Sequence, residues 1–190
     1  MSKNDGKIIT KEVYSLLVSE KETLPIATQY FNKLLEKTIN WTEVFTLKYK
    51  MIKEQRLVSF SYKLLNNILA VPKNLHKWKI YETPVCNMCF MEGTLSHSML
   101  KCSYFGNFYQ VVISICNVMG LENLHFDENT LICGYKPFDK SYLRVNQLIM
   151  IIYFTVYKTG VQFRNGNRYN PLNTFKLVYN LSGRMKNHHI

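Results

Sequence analysis

Four side chains with the chemistry to hold a metal ion fall inside one 17-residue window: Cys86, Cys89, His97 and Cys102, spaced Cys-x2-Cys-x7-His-x4-Cys. Three thiolates and an imidazole form one of the usual tetrahedral sets for structural zinc, and four protein ligands leave no open position for a reactive water. The chain has only five cysteines and five histidines, so their concentration here is poorly explained by chance. Two cysteines three apart can grip one ion from a tight turn. Glu92-Gly93-Thr94 can then reverse the chain, and Thr94 can cap a short helix that carries His97 and delivers Cys102 one turn later. A zinc turn is therefore expected over residues 85–102.

Other chemistry is thin. Thirteen acidic residues are dispersed, with none after Asp139, so the paired carboxylates of a two-metal polymerase or nuclease are not in view. The chain has no Gly-rich phosphate loop, no Gly-x-Ser-x-Gly elbow and no His-Glu-x-x-His. Asp127 and Glu128 are adjacent and read as loop charges. Cys116, His125 and Cys133 could form a second partial metal site, but they read more simply as two small core residues and a loop histidine. A non-enzymatic protein is expected.

Charge supplies the second signal. The 190 residues carry a formal net charge of +11. Residues 41–85 hold eight Lys/Arg against three Asp/Glu, residues 86–140 three against five, and residues 141–190 seven against none. Two basic blocks thus flank a slightly acidic centre, a distribution suited to a polyanionic partner. Lys73, Lys77 and Lys79 surround Trp78, whose ring could stack on a base, although the residue reads first as core. Arg164 and Arg168 are the C-terminal candidates for phosphate contact, with Lys176, Arg184 and Lys186 beyond them. The odd cysteine count and the polar start, MSKNDG, favour a reducing intracellular compartment, cytoplasmic or nuclear.

The elements that must position these residues are helical. Periodicity predicts helices over 11–20, 25–37, from Trp41 onward with Asn40 and Glu43 as a capping box, over 56–69 ended by Pro72, and over 103–119 stopped by Gly120. Ile80-Tyr81 could form a short strand, and residues 121–138 read as loop. A long helix over 141–162, apolar on most faces, should be central, with a last helix from Pro171. The expected fold is mainly α: an irregular helical domain with a small Cys3His turn and room for a short β-hairpin. Residues 1–40 form a helical lead-in and residues 41–190 the zinc-binding domain.

Taken together, the residues resemble the carboxy-terminal zinc-binding segment of LINE-type non-LTR retrotransposon reverse transcriptases. The resemblance runs over roughly residues 28–180. It is carried by Trp41 with Val44-Phe45, Leu57-x-x-Phe60 with Tyr62-Lys63-Leu64-Leu65, Trp78-x-Ile80, the four ligands with Glu92-x-Thr94 leading to His97, Leu131-Ile132-x-Gly134, Val145-Asn146 and Ile152-Tyr153. The chain departs from the family pattern at Ser98-Met99 and Phe108-Tyr109, and it lacks the Tyr/Phe-x-Asp-Asp motif of the polymerase. The resemblance implies a non-catalytic piece of a larger polyprotein that binds template RNA or target DNA during target-primed reverse transcription, with structural Zn²⁺ on Cys86, Cys89, His97 and Cys102.

Overall fold

The computed structural model describes residues 26–137 and 139–184. The helix expected over 11–20, and the Pro25 start of the next, lie outside them. Among the described residues eight α-helices follow one another: α1 Ile26–Leu34, α2 Trp41–Met51, α3 Gln55–Leu65, α4 Pro72–Lys77, α5 Gly106–Val118, α6 Glu128–Ile132, α7 Leu143–Arg164 and α8 Pro171–Arg184. The architecture is mainly α. Among the described residues the only extended pairing is a single antiparallel bridge between Val85 and Glu92, so neither a hairpin ladder nor a strand at Ile80-Tyr81 forms.

The 22-residue α7 is the axis of the molecule. Ile149, Met150, Ile152, Tyr153 and Val156 are buried along it, and it packs against α2, α3, α8 and the turn that carries His97. Burial all round explains why the sequence there is apolar on most faces. Aromatic rings fill the seams. Phe60 of α3 lies 5.5 Å from Phe154 and 5.4 Å from Tyr157, and Phe108 of α5 lies 6.1 Å from Phe175 of α8. Phe31 of α1 joins the same core beside Trp41, at 6.0 Å. No helix among the described residues is long and apolar enough to cross a membrane.

Local signals set several boundaries. The Asn40 side chain accepts from the Glu43 N–H at 3.3 Å, so α2 starts where the capping motif places it. Helix α3 is shorter than its periodicity suggests. It begins at Gln55, capped by Glu54 through the Leu57 N–H at 2.7 Å, and ends at Leu65 because Asn67 turns left-handed at φ +53°. Pro72 therefore opens α4 rather than merely closing the helix before it. Gly120, at φ +75°, terminates α5, whose outer face leaves Ile113 40% exposed although periodicity assigns it to the buried side. The stretch 121–138 contains α6, where Asp127 caps through the Thr130 N–H at 2.7 Å.

Candidate metal centre

The metal turn is built on two reversals. Phe90 donates its N–H to the Cys86 carbonyl at 2.8 Å, Cys86 donates to the Met91 carbonyl at 2.8 Å, and Phe90 sits at φ +64°. This knuckle over Cys86–Met91 points Cys86 and Cys89 the same way. A non-glycine residue in the left-handed region is uncommon and strained, most of all a bulky one. The expected reversal at Glu92–Thr94 follows, with the Thr94 N–H on the Glu92 carbonyl at 3.0 Å. Between them Gly93 presses on α4: a Cβ there would lie 2.5 Å from Pro72 Cβ, and the Lys73 N–H donates to the Gly93 carbonyl at 3.0 Å. Only glycine allows so close an approach.

Thr94 caps the next helical turn as its spacing suggests, its hydroxyl accepting from the His97 N–H at 3.1 Å. The turn itself differs from expectation. Residues His97–Lys101 form a π-helical turn, and the Cys102 N–H donates to the His97 carbonyl at 2.9 Å, an i to i−5 bond. In a regular α-helix, residues five apart stand about 140° apart around the axis. The wider π turn brings Cys102 round beneath His97, so the x4 spacing is accommodated by geometry that the cap alone does not announce.

The outcome is one cluster. The ligand atoms of Cys86, Cys89, His97 and Cys102 all lie within 4.8 Å of one another. Cys89 Sγ is 3.1 Å from His97 Nε2 and 3.6 Å from Cys102 Sγ, and Cys86 Sγ is 3.9 Å from Cys102 Sγ. Sulfurs on a tetrahedron with metal–sulfur bonds near 2.3 Å stand about 3.8 Å apart, so these separations suit a shared ion. The contact with Cys102 holds the Cys86 thiol well below its ordinary range, against the opposing effect of burial, and the same contact with burial pushes Cys102 up. A cation bound here would displace the thiol protons and keep the sulfurs as its ligands. The donor set could hold a metal ion and is consistent with zinc. Cys116 and Cys133 are buried apart from this cluster, and burial raises both thiols.

The surroundings tie the turn to the core. Glu128, the first residue of α6, accepts from Lys101 Nζ at 2.7 Å and from the Ser96 hydroxyl at 2.6 Å. The Lys101 and Ser96 contacts lower its carboxyl to about 2. The reading of Asp127 and Glu128 as loop charges is thus corrected: one caps α6 and the other clamps α6 to the metal turn. The buried Tyr109 donates its hydroxyl to the Met99 carbonyl and binds α5 to the same turn.

The candidate phosphate contacts are placed differently from one another. Lys73 pairs with Glu92 at 2.8 Å in solvent. Lys77 and Lys79 are exposed at the end of α4, with Lys79 left-handed at φ +61°. Trp78 between them is 41% exposed, a correction to its assignment as core, because α4 ends there and the chain turns away. Arg168 is exposed, with its guanidinium 5.6 Å from the Phe163 ring centroid. Arg164 turns inward, donating to the Ala70 carbonyl at 2.6 Å, and burial pulls its pKa down. Sequence reasoning missed the 80% exposure of Phe90, whose only advance signal was its place next to Cys89.

Comparison of the chain with protein-family models, curated proteins and solved structures finds no match.

Proposed function

We propose that this chain is a non-catalytic, zinc-stapled nucleic-acid-binding segment of the kind that follows the polymerase in LINE-type reverse transcriptases. Its role is to hold template RNA or target DNA beside the remainder of such a polyprotein. The observation that carries the reading is the convergence of Cys86, Cys89, His97 and Cys102 within 4.8 Å. Trp78 and Phe90 both stand in solvent, and Trp78 lies in the chain between the exposed Lys77 and Lys79. Zinc suits a donor set of three sulfurs and one nitrogen, and it adds no chemistry here beyond fixing the turn. Exposed rings beside lysines are the pattern by which single strands are held through stacking and phosphate attraction. The net charge of +11 supports a polyanion.

The test is an anisotropy titration of the zinc-loaded chain against mixed-sequence RNA and single-stranded DNA at increasing salt. Binding is expected at low salt, with a log–log slope of several units. No binding at about 50 mM salt overturns the reading.

One observation favours a second reading, a protein-docking module. The outer face of α5 carries Val111, Ile115, Val118 and Met119, all exposed and spaced i, i+4, i+7, i+8. Complex formation that is insensitive to salt and lost on Ile115→Lys would support it.

A further inference from the structure

Arg164, the last residue of α7, is half-buried and its guanidinium is committed to the protein. Nη2 donates to the Ala70 carbonyl, and the side chain lines one small cavity together with Cys86, Asn87, Met88 and Ser98. No carboxylate compensates it: the ion pairs among the described residues are Lys73–Glu92 and Lys101–Glu128. A cation drawn partly out of water without an opposite charge is penalised by lost hydration. The opposite charge is beside it in another form. Three thiolates, a neutral imidazole and a divalent cation sum to −1, and Cys86 of that set shares the cavity with the guanidinium.

We propose that Arg164 is the counter-charge of the metal centre, a positioning residue that offsets the net −1 of a loaded Cys3His site and thereby strengthens its hold on the ion. The Ser98 hydroxyl, buried in the same cavity without a hydrogen-bond partner, adds a donor to that wall. Through Ala70 the guanidinium also ties the end of α7 to the segment between α3 and α4, so its charge works inside the fold rather than on a phosphate. Partners just outside a metal's ligand shell typically alter affinity by about 10- to 100-fold when removed.

The inference rests on the metal reading, and one experiment separates the two. Zinc affinity of the full chain is measured by competition with a chromophoric chelator for the natural sequence, Arg164→Gln and Arg164→Lys, with cobalt absorption reporting ligand geometry. Arg164→Gln is expected to weaken zinc by about 10- to 100-fold while the tetrahedral cobalt bands keep their positions, and Arg164→Lys to stay within about threefold. Natural-sequence affinity in Arg164→Gln overturns the counter-charge, as does a loss in Arg164→Lys equal to that in Arg164→Gln. Should Arg164→Gln fail to fold by circular dichroism, Arg164→Lys decides: restored helicity and zinc affinity support the proposal, and their loss overturns it. Failure of the natural sequence to bind zinc refutes the metal reading itself.

Discussion

At residues 85–102 and again at residues 133–142 the chain leaves regular structure, passes through a left-handed residue and is fastened to α7. The fastenings differ. In the second loop Gly134 lies at φ +92°, and a Cβ there would meet Asn146 Oδ1 at 2.6 Å. Asn146 is buried and accepts from the Tyr135 N–H at 2.8 Å, while its own amide donates to the carbonyls of Tyr135 at 2.8 Å and Tyr142 at 3.1 Å. That loop is held by one side chain with its polar groups satisfied, and it needs nothing from outside. The metal loop has a short set of backbone bonds, a bulky residue at φ +64° and four donors that face one another. The amide end is complete as folded; the metal end gathers four donors that could hold an ion.

Removing the ion breaks this contrast most severely. Zinc folds small peptides with about 10 kcal/mol or more, and here the helical core stands partly by itself, so chelation should lower stability by on the order of 5 kcal/mol. Urea unfolding with and without chelator measures it, and an unchanged midpoint would place the metal end on the same footing as the amide end. Asn146→Ala attacks the other side. Leaving the partly buried backbone groups of Tyr135 unpaired should remove about 3 kcal/mol with zinc affinity unaltered. A parallel fall in zinc affinity would show that α7 couples the two ends.

Lys48 sharpens the comparison, because the amide end also contains a misfit. It is buried on α2, donates to the Leu131 carbonyl at 3.4 Å, and burial lowers its pKa to about 8. The folded state then binds this proton less tightly than the unfolded state, whose lysine titrates near 10.5. The penalty is complete below a pH of about 8 and is relieved as pH rises from there toward 10.5. Lys48→Met should therefore stabilise by about 2 kcal/mol near neutral pH and by progressively less as the solution becomes alkaline, in urea titrations across that range. A pH-independent gain would mean that the amine is already neutral at the lower end of the range. The smallest effect is expected at Phe90→Gly. Relief of the left-handed strain should add about 0.5–1 kcal/mol and, with the ring gone, weaken single-strand binding. Stabilisation with unaltered binding would remove Phe90 from the proposed surface.

How legible these ends are in the sequence depends on how far apart their parts lie. The Asn40 cap, the Thr94 cap and the Pro171 start of α8 involve residues within one turn of each other, and the sequence states them directly. The four metal donors are separated by more, yet few residue types can do that chemistry, so their identity shows through. Contacts whose partners are distant in the chain stay hidden. Gly93 against Pro72, Glu128 on Lys101 and Lys48 beneath Leu131 exist only once the helices pack. Trp78 is misplaced by pattern alone for the same reason: its exposure follows from where α4 stops, and no periodicity records that.

The π turn at His97–Lys101 also sets a direction. In ordinary α geometry Cys102 would stand about one residue's angular step, roughly 100°, away from where the π turn puts it. The chain leads from Cys102 into α5, so that single widened turn helps set which way the apolar flank from Val111 to Met119 faces.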